Sequence, residues 1–123
     1  MLRKSDLINF AATSNSSKAR DFYVKTLGLT LVSSDQFAIV FEVNGTMLRI
    51  QIVEKVNPHP YTTLGWKVKS IMTEVRELSR KGIKFARYEG MNQDKDGIWT
   101  SPNGAKIAWF TDPDGNILSL TEF

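Results

Sequence analysis

The stretch SNSSKARDFYVKTLGL, residues 14–29, decides the fold. It opens with polar residues whose side-chain oxygens can accept hydrogen bonds from the free amides at the start of a helix. Four apolar residues then recur at helical spacing and share one helix face: Ala19, Phe22, Tyr23 and Leu27. Gly28 follows, and glycine readily adopts the left-handed conformation in which helices end. The stretch predicts a short amphipathic helix with a defined start and end.

The residues on either side of this helix have the composition of β-strands. Leu7–Ala12, apolar apart from Asn9, predicts a strand before the helix. Three more strands are predicted after it, over Leu29–Val32, Phe37–Val43 and Met47–Val53, and Asn44-Gly45 is typical of a tight hairpin turn. The first half of the chain therefore predicts a β-α-β-β-β unit over about residues 5–54.

After a loop with Pro58 and Pro60, the same order of elements repeats over about residues 61–123. Thr62–Val68 predicts a strand, and Ser70 a helix start. The apolar helix positions are Ile71, Val75 and Leu78, and Gly82 ends the helix. Strands are predicted over Ile83–Arg87, Lys106–Phe110 and Ile117–Leu120. The polar segment 90–104 is interpreted as an insertion, and residues 112–115 as a turn.

Neither half has enough strands and helices to close a core alone. We therefore expect one α+β domain over residues 1–123, made of two βαβββ modules whose sheets curve around a shared central cavity. A chain of this length is typical of a single domain.

Composition excludes several classes of function. The chain has no cysteine, which excludes disulfides, thiolate nucleophiles and cysteine-ligated metals. The net charge of +3 comes from basic residues interspersed with acids, whereas a nucleic-acid surface needs a clustered basic stripe. No apolar run reaches the length of a membrane span, and no secretory signal is recognised. We expect a cytoplasmic protein that binds neither nucleic acid nor membranes.

Two motifs resemble the vicinal-oxygen-chelate superfamily, which includes glyoxalases, extradiol dioxygenases and bleomycin-resistance proteins. Phe22-Tyr23-x-x-x-Leu27-Gly28-Leu29 resembles the first helix of that superfamily, and Asp112-Pro113-Asp114-Gly115-Asn116 resembles its second-module hairpin. The resemblance implies paired βαβββ modules around a cleft and, in many members, homodimers. It also implies, in many members, a divalent metal held by His, Gln or Glu side chains from four strands.

The residues at those four metal positions depart from the superfamily pattern. They are Ile8 (or Asn9), Arg49, Thr63 and Ser119. Divalent catalytic metals need imidazole or carboxylate ligands, and Arg49 brings a positive charge instead. Glu122 shares its strand face with Leu118 and Leu120 rather than with Ser119, and the single histidine, His59, lies in the midpoint loop. We therefore predict no metal cofactor.

A set of polar and aromatic residues is predicted to bind a ligand instead: Phe10, Met47, Arg49, Gln93, Asp94, Trp99, Ser119 and Thr121. Arg49 alternates with the core residues Leu48 and Ile50 and should face the cavity, where it needs either a carboxylate partner in the protein or an anionic ligand. Trp99 lies in the inserted segment, either as a lid over a ligand or as an anchor for the loop. Trp66 and Trp109 are predicted to pack in the core.

The leading prediction is a metal-independent small-molecule-binding protein with an apolar, aromatic and cationic pocket. Its ligand is expected to be a small organic compound, anionic or aromatic, and the protein a homodimer. The alternative is a metal-dependent lyase, isomerase or dioxygenase of the same superfamily, with divalent metal as its cofactor. A third interpretation is an interaction domain without a ligand.

Overall fold

The computed structural model describes residues 1–123, which divide into two compact units, Met1–Pro58 and His59–Phe123. The division falls in the proline-containing loop that the sequence marks as the midpoint. Each unit contains one four-stranded mixed sheet and one main helix, and neither sheet closes on itself. The predicted α+β class is confirmed, with two units of the same β-α-β-β-β order.

The first unit is built on sheet one, whose strands lie in the order β1-β4-β3-β2. The parallel pair is β1 with β4, and the other neighbours are antiparallel. The elements in chain order are β1 (Ile8–Thr13), α1 (Ser16–Asp21), β2 (Thr30–Ser34), β3 (Ala38–Val43) and β4 (Thr46–Ile52). A short 3₁₀ helix, Leu2–Lys4, precedes β1. The central strands β3 and β4 carry most of the buried residues of this sheet.

The predicted first helix is present, and its second half is wound as a π-helix over Phe22–Thr26. Asn15 caps the start, because its side chain accepts a hydrogen bond from the Lys18 amide at 3.1 Å. Gly28 ends the helix with φ +73°, as the sequence predicts. Tyr23 is fully buried, and its ring centroid lies 5.7 Å from that of Phe41 on β3. This contact fixes the helix against one face of sheet one.

The hairpin between β3 and β4 also follows the sequence prediction. Asn44 and Gly45 have φ angles of 48° and 85°, both positive. Positive φ at both central residues is the requirement of a type I′ turn, whose twist matches that of the flanking strands. The turn sets the register in which Val40 pairs with Arg49.

The second unit repeats the arrangement in sheet two, whose strands lie in the order β5-β8-β7-β6. Here β5 and β8 form the parallel pair. The elements are β5 (Thr62–Lys67), α2 (Ile71–Arg80), β6 (Trp99–Thr100), β7 (Lys106–Thr111) and β8 (Ile117–Glu122). Ser70 caps α2 by accepting from the Thr73 amide, and the predicted apolar positions Ile71, Val75 and Leu78 are buried.

One predicted strand is wrong. Residues 83–87 are not a strand, and they share a single backbone hydrogen bond with β7, from the Ala86 amide to the Trp109 carbonyl at 2.7 Å. The edge of sheet two is instead β6, which arises from the segment interpreted as an insertion. The physical reason is the Gln93 side chain, which donates to the Ala86 carbonyl and accepts from the Tyr88 amide. These bonds satisfy the backbone of residues 86–88 without a strand ladder.

None of the helices combines the length and the apolar character needed to cross a lipid bilayer.

Candidate functional site

Sheet one has a helix-covered face and an open face, and the strand alternation separates their residues. Leu48 and Ile50 of β4 are buried on the helix side. Arg49, between them, lies on the open face, where it pairs in register with Phe10 of β1 and Val40 of β3. The structure thus brings together three of the predicted ligand-binding residues, since Met47 lies on the same face of β4.

The open face of sheet one is apolar and accessible. Ile8 is 45% exposed, Phe10 47% and Met47 42%. Val32, at the bulge in β2, is 61% exposed. Large apolar side chains that share one face and stay accessible are a common feature of binding surfaces.

A cavity of about 430 Å³ lies on this face, within the usual size range of small-molecule pockets. Its walls are mainly apolar and come from β1, the bulge of β2, β3, and the hairpin with the start of β4. Its lining residues include the apolar Leu7, Ile8, Val32, Val40 and Met47 and the carboxylates Asp6 and Glu42. Val40 lines the cavity and is also the register partner of Arg49, which lies on the same face next to the lining residues but is not one of them.

Arg49 has no protein partner. Its side chain is half-buried and makes neither an ion pair nor a hydrogen bond. Its charge does contribute to the environment of Asp35, whose pKa is lowered mainly by hydrogen bonds from the Phe37 and Ala38 amides and to a lesser extent by Arg49. The sequence left two possible partners for Arg49, a carboxylate in the protein or an anionic ligand. The structure contains no carboxylate that forms an ion pair with Arg49.

Sheet two also has an open face, which carries an aromatic cluster. Trp109 of β7 pairs with Ser119 of β8, and Trp99 of β6 pairs with Ile107 of β7. The ring centroids of Trp99 and Trp109 lie 6.1 Å apart, and Tyr88 packs edge-on against Trp109 at 5.6 Å. The predicted residues Trp99, Ser119 and Thr121 therefore share one face of the second unit.

Trp109 is the residue of this face that sequence reasoning assigned to the core. On β7 the fully buried residues are Ala108 and Phe110, and Trp109 between them is only half-buried on the opposite side. The alternation of side chains along β7 predicts that Trp109 faces away from the core, whereas the general preference of tryptophan for protein interiors predicts the opposite.

Ser119 packs closely against the neighbouring strand β5. It is buried and pairs with Gly65 of β5, where an added Cβ would come within 3.0 Å of the Ser119 Oγ. Thr63 lies at a register shift between Thr62 and Leu64, and its Oγ1 is buried without a hydrogen-bond partner. Both hydroxyl groups therefore lie within the tightly packed parallel pair of β5 and β8.

The remaining predicted residues, Gln93 and Asp94, form hydrogen bonds with backbone groups of the loop before β6. The Gln93 amide makes three hydrogen bonds to backbone groups, with the Tyr88 amide and the Ala86 and Gly97 carbonyls. Asp94 Oδ1 accepts from the Asp96 and Ile98 amides. These side chains give the segment 88–98 its shape, and that shape places Trp99 beside Trp109.

A family model for the glyoxalase/bleomycin resistance protein/dioxygenase superfamily matches residues 8–120. The chain belongs to this superfamily. None of the curated protein sequences matches it significantly.

Solved structures of the superfamily have the same fold over nearly the full chain. A superfamily member from Sphaerobacter thermophilus is 24% identical, with a TM-score of 0.77 and complete coverage of both chains. A glyoxalase family protein from Enterococcus faecalis is 22% identical, with a TM-score of 0.74, covering 99% of this chain and 100% of the other. Lactoylglutathione lyase from Agrobacterium tumefaciens is 18% identical, with a TM-score of 0.71 and coverages of 97% and 93%. At these identities the similarity concerns the fold.

The four positions that the glyoxalase superfamily pattern assigns to metal ligands do not fit a divalent metal in this chain. They hold Ile8 or Asn9, Arg49, Thr63 and Ser119. Nowhere do three or more His, Cys, Asp or Glu side chains converge. Glu122 faces α2, where its carboxylate accepts from the Ile71 amide at 3.0 Å, and His59 is exposed and stacked on Tyr61. None of the four positions supplies the imidazole or carboxylate ligands that zinc, nickel or iron requires.

Proposed function

We propose that this superfamily member binds a small organic anion on the open face of sheet one, without a metal ion. One observation carries the proposal: the guanidinium of Arg49 is half-buried and unpaired on an apolar face that borders a cavity of about 430 Å³. A partly desolvated cation that forms no ion pair is costly for the protein alone. A ligand carboxylate can supply two charge-assisted hydrogen bonds to the planar guanidinium.

The neighbours of Arg49 indicate the rest of the ligand. Phe10 and Val40 flank the guanidinium across the sheet, and Met47 and Ile8 form the adjacent pair. Apolar side chains next to a cation suit an amphipathic molecule with one anionic end and an apolar or aromatic body. The carboxylates Asp6 and Glu42 also lie in the cavity wall. The proposed ligand class is therefore aromatic or aliphatic carboxylic acids.

We propose that the open face of sheet two, in the second unit, is also a ligand-binding surface. Trp99, Trp109 and Tyr88 present stacked and edge-on rings beside the hydroxyl groups of Ser119 and Thr121. Aromatic side chains of this kind favour planar apolar groups. No cation comparable to Arg49 lies at the centre of this face, since its middle strands carry Trp109 and Ser119, so neutral rings are its expected partners.

The alternative is a metal-dependent lyase, isomerase or dioxygenase, and one structural neighbour carries the name lactoylglutathione lyase. The residues at the four metal positions argue against this alternative for the present chain. We therefore propose a binding protein, and no metal-assisted reaction step is assigned to it.

The test compares a matched acid and amide, 2-naphthoate and 2-naphthamide, by isothermal titration calorimetry. We expect the acid to bind at least about tenfold more tightly than the amide, because one charge-assisted bidentate contact contributes about 1.5–3 kcal/mol. Arg49→Met should remove this preference and leave the amide unaffected. Arg49→Lys should retain part of it, because the charge remains while the planar fork is lost.

Arg20→Met is the matched control, since Arg20 is an exposed arginine outside sheet one, on α1. This control should bind both ligands as the wild type does. Equal affinity for acid and amide in the wild type, or an unchanged preference in Arg49→Met, would contradict the proposal.

A further inference from the structure

A second cavity lies in the second unit, away from the open face of sheet two. Its volume is about 280 Å³, and its walls come from the end of α2, residues 84–87 and the loop 95–97. This volume lies at the lower end of small-molecule pockets, which begin at about 300 Å³. We call it the basic groove, because Lys84, Arg87 and Lys95 line it.

Two of the three cations in the basic groove are without partners. The side chains of Lys84 and Lys95 make neither an ion pair nor a hydrogen bond. Arg87 donates one guanidinium hydrogen bond to the Lys95 carbonyl at 2.6 Å, which leaves its other N–H groups available. The same bond holds the loop with Lys95 against the segment with Lys84.

The single carboxylate in the groove does not offset these charges. Asp96 is bound by Arg76 of α2 at 3.5 Å, so its charge is already compensated. The Ser79 hydroxyl lies in the wall of the groove and adds a neutral donor. The groove therefore carries an excess of positive charge and hydrogen-bond donors in a small volume.

The floor of the basic groove is closely packed. Gly97 has φ +87°, and a Cβ there would approach the Phe85 Cβ within 3.1 Å. A side chain at position 97 would crowd this contact, and the positive φ angle there favours glycine. This contact holds the backbone of the loop 95–97 close to residue 85.

We propose that the basic groove binds the phosphoryl group of a small phosphorylated molecule. A dianionic phosphate is a small group that can use several neighbouring cations and a hydroxyl donor. The size of the groove admits a phosphate with a small organic substituent. Along α2, Arg80 is paired with Glu77 at 3.0 Å, whereas nucleic acid requires an extended stripe of basic residues. This proposal is independent of ligand binding at Arg49.

The test follows backbone amides of the full chain by two-dimensional NMR during titration with inorganic phosphate and with phenyl phosphate, at constant ionic strength. We expect saturable shifts confined to residues 84–87 and 95–97. Lys84→Gln and Lys95→Gln should each weaken binding about threefold, and the double variant about tenfold, as for exposed charge pairs. Lys106→Gln, an exposed position on β7, makes the same charge change outside the groove and should bind as the wild type does.

Three results would overturn the proposal. The first is equal phosphate affinity in the double variant and the wild type. The second is identical shifts on addition of chloride at the same ionic strength, which would indicate screening rather than a site. The third is a short single-stranded DNA that binds more tightly than phenyl phosphate with shifts beyond the groove, which would assign the surface to nucleic acid. Because Lys84 and Lys95 have no structural contacts through their side chains, these variants should fold.

Discussion

In the proposed function, Arg49 serves binding at the expense of stability. Its neighbours Leu48 and Ile50 are buried in the core, so the strand alternation holds Arg49 on the open face whatever the charge there costs. Because the guanidinium has no protein partner, its removal breaks no ion pair or hydrogen bond. Arg49→Met is therefore expected to keep or raise the melting temperature while losing the preference for acids, which separates a binding role from a structural one.

Asp35 gives a pH-dependent prediction at the same scale. Its Oδ1 accepts from the Phe37 amide at 2.8 Å and the Ala38 amide at 3.0 Å, and these bonds, with a smaller contribution from Arg49, hold its pKa below the ordinary value of 3.8. A carboxyl group with a lowered folded-state pKa stabilises the fold above its unfolded pKa. That contribution is lost as the pH falls through the folded pKa.

We therefore expect the wild type to lose more stability than Asp35→Asn when the pH is lowered from about 6 to about 3. The asparagine retains an acceptor for the same amides but does not titrate. Urea unfolding at a series of pH values measures the difference. Parallel pH profiles for the two proteins would show that Asp35 is not a source of acid sensitivity.

At the scale of elements, α2 depends on a residue far away in sequence. The Glu122 carboxylate of β8 accepts from the amide of Ile71, the first residue of the helix, while Ser70 satisfies the amide of Thr73. These are two of the free amides at the helix start, and the negative charge also complements the helix dipole.

Glu122→Ala is expected to lower the free energy of unfolding by about 1 kcal/mol, because it removes a capping acceptor in a part-buried setting. Glu122→Gln keeps the acceptor and should cost only a few tenths of a kcal/mol. Glu77→Ala, which removes an exposed ion pair with Arg80 on the same helix, is the control and should be nearly neutral. A loss in Glu122→Gln as large as in Glu122→Ala would show that the charge, rather than the hydrogen bond, is responsible.

The elements were largely predictable from the sequence, and the exceptions have a clear cause. Both main helices and the strands of sheet one follow from apolar periodicity, Asn15 and Ser70 caps, and the Asn44-Gly45 turn. Residues 83–87 have the composition of a strand, but their backbone partner is the Gln93 side chain, which no local pattern indicates. Likewise, alternation predicts that Arg49 lies on the face opposite the buried Leu48 and Ile50, as it does. The absence of a carboxylate partner, in contrast, depends on residues brought near it by folding.

At the scale of the whole molecule, the chain keeps the superfamily fold in both units while its metal positions carry other chemistry. The fold requires the parallel pairs β1 with β4 and β5 with β8, and the metal positions lie on these same four strands. Backbone pairing does not depend on which side chains project from the open faces. Loss of histidine and glutamate ligands is therefore compatible with an unchanged fold, and Arg49 places a fixed cation at one of the four positions.

This difference leads to a prediction for the intact protein, purified without an affinity tag. Metal analysis is expected to find no stoichiometric nickel, zinc, manganese or iron, and none of these ions should raise the melting temperature. A ligand present at about 100 times its dissociation constant adds about 2.7 kcal/mol, which corresponds to a shift of several degrees for a domain of this size. Such a shift with any of the four metals would contradict the binding-protein proposal and favour the lyase or dioxygenase alternative. In that event Ser119→Ala and Thr63→Val should identify which strand positions hold the ion, because each removes a hydroxyl oxygen at a superfamily metal position.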